Sequence, residues 1–345
     1  MRPRSWLAVS VLLSVLIFAI VLGLTVDETT FEALDRLDLR WLLVALGAHG
    51  CALVCWSGRL RLLSSALGYR VPLRRCLSIV LANVLASAIT PSSAGGEPVR
   101  VHELYRSGVR AGDATAVVVT ERLLDFLLLL VGVNIAVLLL GHRLKAIGVD
   151  AGAIVPAVWL LVTGLFAIVL LVLWHPTGLN RGLRATGAWL SRLLPSRFSS
   201  RVERFTGKVD READHFRASF HRFAVRGRGH LAAALACSAG YWLFDFLVAS
   251  FVLLALGLPP FWIESLLCQM FVNVISLLPV TPGGAGIAEL TAASLYGLFV
   301  PSSALGVMIV LWRLIVYHLN ILLGLGAGLA IVRREAARRA LLREP

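Results

Sequence analysis

The chain has 345 residues, 58% of them hydrophobic and 15% charged, with a mean hydropathy of +0.82. Soluble domains hold roughly 45–50% apolar and about 25% charged residues, so a soluble enzyme is excluded and a helical polytopic membrane protein is indicated. The net charge of +13 does not point to nucleic acid: the basic residues flank apolar runs, as the positive-inside rule requires, and no stretch carries a nucleic-acid-binding signature.

Candidate spans, each near the 20 apolar residues a bilayer needs, are 6–24, 40–58, 113–141, 151–174, 230–254 and 303–331. The first follows a short basic start and lacks a small-residue cleavage site, so it reads as a retained helix with a cytosolic N-terminus. The 25–38 loop is acidic and lies outside. The 59–75 loop, with Arg59, Arg61, Arg70, Arg74 and Arg75, lies in the cytosol.

Two more apolar stretches, 76–91 and 263–280, run into Gly-rich breaks. After the first come Arg100, Arg106 and Arg110, which a full crossing would leave outside. A re-entrant hairpin over 76–99, dipping in from the cytosol, keeps them inside. The second half solves the same way. The basic 175–229 segment is cytosolic, the 255–262 loop has no Lys or Arg, and the basic tail from Arg333 is cytosolic. A second hairpin over 263–299 therefore inserts from outside.

The predicted architecture is one all-α membrane domain of about six full spans and two re-entrant hairpins in an inverted-topology repeat. Its parts are 1–39, 40–141 (repeat 1), 142–229, 230–332 (repeat 2) and 333–345. Within 142–229, Phe198, Val202, Phe205, Val209, Phe216, Phe220 and Phe223 recur at helical spacing among arginines. That amphipathic helix lies on an anionic membrane face or packs against the bundle. The five cysteines have no metal-ligand company and read as small buried hydrophobes.

The two breaks, ITPSSAGGEPVR at 89–100 and LPVTPGGAGIAEL at 278–290, echo each other. Pro91 precedes Arg122 by 31 residues, and Pro282 precedes Arg313 by 31. Broken helices with intramembrane charge, in matching positions of two halves, point to a substrate site between membrane repeats. Thr90-Pro91 and Thr281-Pro282 end the incoming half-helices. Gly95, Gly96, Gly283, Gly284 and Gly286 allow close approach or positive φ. Glu97 and Glu289 then either cap the returning half-helix or leave its amides to an anion. Glu121, Arg122 and Asp125 can share one helix face. Facing lipid they would cost about 8–10 kcal/mol, at roughly 2.5–3.5 each, so they face protein or water, as part of a site or as a structural ion pair. Arg313, with Tyr317 one turn on, either grips a phosphate or pairs with Glu289 or Asp245. His49 reads as a helix–helix hydrogen-bonding residue. No catalytic, metal or cofactor motif is present, so no enzyme activity is expected.

At GGEPVR, ERLLDF (121–126), LPVTPGGAGIAE (278–289) and WRLIVY (312–317) the chain resembles the lysylphosphatidylglycerol synthase/flippase membrane-domain family, over about residues 50–330. The resemblance implies a flippase-like domain that moves a phospholipid or lipid-linked headgroup across a prokaryotic cytoplasmic membrane. The sequence ends at Pro345, soon after the last span, so the resemblance implies a stand-alone membrane domain without the soluble synthase part. Together the residues and the resemblance imply a polar cavity lined by the hairpin tips, Arg100 among them, and by the inner faces of 113–141 and 303–331. Arg122 and Arg313 point toward phosphate, with Glu121, Asp125 and Glu289 balancing those charges or engaging a cationic headgroup. Anionic lipid headgroups at the cytosolic face are the other expected partners. The alternative is an accessory or catalytic subunit in glycolipid or glycosyl-transfer assembly.

Overall fold

The computed structural model describes residues 37–88, 90, 95–146, 227–276 and 284–341, with scattered positions between 156 and 223. All the regular structure among them is helical. The expected spans at 6–24 and most of 151–174 lie outside the described residues, as do Pro91, Thr281, Pro282 and Gly283.

The first half contains α1 (Leu39–Ala66), α2 (Leu73–Ala88), α3 (Gly96–Arg106) and α4 (Ala111–Ala146). The second contains α5 (Arg228–Ala255), α6 (Trp262–Ser276), α7 (Ile287–Tyr296) and α8 (Ser302–Arg313). A π-helical segment, Leu314–His318, follows α8, and α9 (Leu319–Leu341) completes that span. The order is the same in both: a long helix, two short helices packed on each other across a break, then a long helix. At 1.5 Å per residue, the 16-residue α2 and 15-residue α6 reach about 24 and 22 Å, short of a hydrocarbon core of about 30 Å. By length and hydropathy, Leu39–Ala66, Arg228–Ala255 and Ser302–Ile331 can cross a membrane.

The leading helices α1 and α5 share the most extensive helix contact and run antiparallel. The Asp38 amide donates to the Ala255 carbonyl at one end (2.8 Å), His49 meets Asp245 midway, and Arg59 reaches Ser238 further on. Small residues let the backbones approach. A Cβ on Gly240 would meet Cys55 Sγ at 3.2 Å, and one on Gly58 would meet Cys237 Sγ at 3.6 Å. Because α2 starts just beyond the C-terminal end of α1 and α6 just beyond that of α5, the two hairpins start from opposite ends of this seam.

Packing is reciprocal. The closing helix of each half lies along the first hairpin helix of the other: α9 on α2 through Gly324 and Leu85, and α4 on α6 through Gly132 and Met270. Two large apolar cores stand out among the described residues. One joins the first part of α1 to the second half, centred on Val252, Val272, Tyr296 and Met308. The other joins the second part of α1 to the first half, centred on Leu60, Ile79, Leu104 and Val117. Phe223 is buried in this second core and Phe216 packs at its edge. The described end of the amphipathic segment therefore packs on the bundle, where Ser219 and Tyr69 both donate to Asp113 at the start of α4.

The structure corrects the sequence reading at Arg59. It lies in no loop: α1 continues to Ala66, and the buried stripe of Ala52, Trp56, Leu60 and Leu63 carries Arg59 into the interior. The first hairpin is also longer than 76–99, because its returning helix runs on to Arg106.

Candidate functional site

Both breaks are built by short-range contacts, through different chemistry. At the first, the Thr90 hydroxyl donates to the Ala86 carbonyl (2.8 Å) and accepts from the Gly95 amide (2.9 Å), tying the two sides together. Gly96 then lies so close to α2 that a Cβ would fall 2.2 Å from Ser87 Oγ and 2.4 Å from Asn83 Oδ1. At the second, Gly284 and Gly286 take positive φ (+68° and +90°), which only glycine adopts at little cost. The Gly286 amide donates to Glu289 Oε2 (2.7 Å), so Glu289 caps its helix.

In each half the glutamate after the break pairs with the arginine of the closing helix: Glu97 with Arg122, and Glu289 with Arg313. The surroundings differ. Glu289 is fully buried and the Arg313 side chain is 7% exposed. Arg313 Nε donates to Glu289 Oε1 (2.9 Å) and Nη2 donates to the Gly284 carbonyl (3.3 Å). Its guanidinium also lies 4.5 Å from the Tyr317 ring centre, a cation–π contact. Asp245, the other candidate partner for Arg313, hydrogen-bonds His49 instead.

Arg122 and Glu97, by contrast, are 34% and 32% exposed. Behind them lies a buried ionic cluster that meets the cavity at Asp125. Glu121 accepts from Arg59 Nε at 2.9 Å and from Arg100 Nη1 at 2.8 Å. Asp125 accepts from Arg59 Nη1 at 2.5 Å and from Trp242 Nε1 at 3.0 Å. Arg59 also donates to Ser238, and its guanidinium lies 5.9 Å from the Trp56 and Tyr241 rings. Counting Arg122 and Glu97, three cations meet three anions. Such neutrality lets the charges stay ionised away from water. Arg100 and Glu121 are completely buried, with no open face toward a ligand.

A cavity of about 1020 Å³ opens between the halves. Of the residues singled out from sequence, Glu97, Arg122, Asp125 and Arg313 line it. Thr90, Gly95, Gly96, Gly284, Gly286, Glu289 and Tyr317 stand behind its wall as scaffold and partners. Sequence reasoning did not assign His49, Asp245, Asn320, Gln269 and Asn273 to this wall, where the structure places them. A polar stripe on otherwise apolar segments was the available signal. Trp56, Trp242 and Trp312 supply aromatic wall.

The π-helical segment sits against this wall. His318 Nδ1 lies 3.2 Å from the Arg313 carbonyl, and the Asn320 amide donates to the Val316 carbonyl at 2.7 Å. Side chains thus bond carbonyls in and beside the irregular stretch, a type of interruption frequent at functional sites.

Residues 7–324 match the family model for the lysylphosphatidylglycerol synthase TM region. A UPF0104 membrane protein of Archaeoglobus fulgidus is 30% identical over 316 residues, covering 92% of this chain and 94% of that protein. One from Pyrococcus horikoshii is 26% identical over 321 residues, covering 91% and 94%. Another, from Methanocaldococcus jannaschii, is 26% identical over 294 residues, covering 83% of each. The chain is a membrane protein and belongs to the family of the lysylphosphatidylglycerol synthase transmembrane region.

Proposed function

We propose that this protein is a flippase-like transporter and not an enzyme, moving a phospholipid or lipid-linked headgroup across a prokaryotic cytoplasmic membrane through the cavity between its halves. The observation that carries this reading is the one-third-exposed Arg122–Glu97 pair on the wall of a large cavity, beside helix pairs that start from opposite ends of the α1–α5 seam. In the proposed topology α2–α3 re-enters from the cytosol and α6–α7 from outside, with both termini cytosolic. An arginine fork suits a phosphate diester, and Glu97 and Asp125 suit a cationic group on the same headgroup. A ligand phosphate would trade places with Glu97 on Arg122, while the acyl chains stay in the bilayer.

The family match supports a membrane role tied to lipid chemistry, and the volume suits a headgroup. Arg313, held by Glu289, Gly284 and Tyr317, serves here as a fixed wall charge. The test is reconstitution into vesicles with a panel of fluorescent lipids, scored by chemical quenching of the outer leaflet. Movement of at least one phospholipid above protein-free vesicles supports the reading. Movement of none, with product formed from a supplied glycolipid donor, would transfer the protein to the glycolipid-assembly alternative.

A further inference from the structure

His49 lies in α1, 3% exposed, with both ring nitrogens against oxygen: Nδ1 is 3.1 Å from Asp245 Oδ1 and Nε2 is 3.0 Å from Asn320 Oδ1. The Asn320 orientation is fixed independently, because its Nδ2 donates to the Val316 carbonyl at 2.7 Å. Asn320 Oδ1 is therefore an acceptor, and His49 Nε2 must carry a hydrogen to meet it. A neutral imidazole with its hydrogen on Nε2 has a bare lone pair on Nδ1. That lone pair would face a carboxylate oxygen, also an acceptor, in a site with little water to separate them. A proton in the Nδ1–Oδ1 gap turns this repulsion into a charge-assisted hydrogen bond.

From this geometry we propose that His49 and Asp245 form a proton-binding site, and that its proton couples headgroup movement to a pH gradient. The coupling half rests on the transport reading above; the proton site does not. Asp245 is 18% exposed, and both residues line the cavity, so the proton exchanges with cavity solvent. Loading forms Nδ1–H···Oδ1; release returns the proton to that solvent and leaves imidazole and carboxylate repelling each other.

The position suits coupling. His49 and Asp245 sit on α1 and α5, the leading helices of the two halves, and Asn320 follows the π-helical segment on the closing span. One proton therefore decides whether α1 and α5, one from each half, are bonded at the cavity wall, while Asn320 holds the ring from the closing span in both states. The other titratable groups facing this cavity are Glu97 and His102 from α3, Arg122 and Asp125 from α4, Tyr241 from α5 and Arg313 from α8, with Tyr105 at its α3 rim. The four charged ones are already committed: Arg122 and Glu97 to each other, Asp125 to Arg59 and Arg313 to Glu289. His49 with Asp245 is the pair whose bonding needs an added proton.

The test has two arms on the full chain. In the first, nitrogen NMR of ¹⁵N-histidine-labelled protein in lipid nanodiscs reads the His49 ring. Its signal is assigned by loss in His49→Gln, or from a chain keeping His49 as its one histidine should that variant fail to fold. The expected result is two protonated ring nitrogens at pH 6, with the Nδ1 signal moving in Asp245→Asn. A bare Nδ1 from pH 5 to 8 overturns the site, whatever lipids do. In the second arm, vesicles of phosphatidylethanolamine and phosphatidylglycerol containing fluorescent phosphatidylglycerol receive a one-unit pH step. For one proton per lipid the step drives about tenfold accumulation in one leaflet. Both His49→Gln and Asp245→Asn should lose that accumulation. Equal accumulation with and without the step in the wild type overturns the coupling. No lipid movement under either condition overturns the transport reading and the coupling with it, and the nitrogen spectrum then decides the proton site alone.

Discussion

The two halves use one phrase, glycine break then glutamate then arginine, to opposite ends. In the second half Glu289 caps its own helix and holds Arg313 in a nearly dry pocket, a bolt between hairpin and closing span. In the first, Glu97 and Arg122 lie about a third open on the cavity wall. The bolting there passes to Glu121, which accepts from two buried arginines. Burial separates the two pairs: Arg313 is enclosed by its partners, whereas Arg122 faces the cavity. Under the proposed function the enclosed pair is the scaffold and the open pair the one that exchanges partners.

The largest effect should come from the buried cluster. Glu121→Ala strands Arg59 and Arg100 without their shared acceptor, a change that typically costs about 3–5 kcal/mol. We expect severe loss of folded protein in detergent, read by thermal unfolding. A variant as stable as the wild type would mean the cluster is not the bolt of the first half. Arg313→Ala comes next. It leaves Glu289 with its helix cap but no cation, so the loss should be about 3 kcal/mol, only partly restored by Arg313→Lys, which cannot fork. Gly96→Ala pushes a Cβ into Asn83 and Ser87 and should cost about 1–3 kcal/mol as overpacking. Gly286→Ala forces a side chain into positive φ, at about 1 kcal/mol. Smallest for folding is Arg122→Ala: a part-exposed pair contributes at most about 1 kcal/mol. If Arg122→Ala unfolds the protein as readily as Arg313→Ala, the contrast between the halves is wrong.

Much of this was legible before any coordinates. The equal 31-residue interval from Pro91 to Arg122 and from Pro282 to Arg313 marked the repeated unit. The structure shows why the interval matters: each glutamate after a break must reach the arginine of its closing helix. The paired short helices on either side of each break were readable as interruptions of apolar runs at Gly95-Gly96 and Gly284–Gly286, and the charges at Arg100, Arg106 and Arg110 are what the proposed re-entrant topology keeps inside. The same rule hid Arg59. Counted as a loop charge it helped fix the topology, whereas its place on the buried face of α1 makes it the hub of the ionic cluster. A basic residue one position past an apolar run satisfies both patterns, and only helical spacing from Ala52, Trp56 and Leu63 separates them. The contacts of His49 with Asp245 and Asn320 span 196 and 271 residues, and no local pattern carries such distant pairings. The first follows from α1 and α5 running antiparallel and the second from the closing span packing beside α1, both properties of packing.

The most direct measurement is the rate of fluorescent phospholipid movement in reconstituted vesicles for Arg122→Ala against wild type, at matched amounts of folded protein. Removing a charge-assisted contact to phosphate should slow movement about tenfold or more, from the roughly 1.5–3 kcal/mol such bonds contribute. An unchanged rate in correctly folded Arg122→Ala would contradict the account.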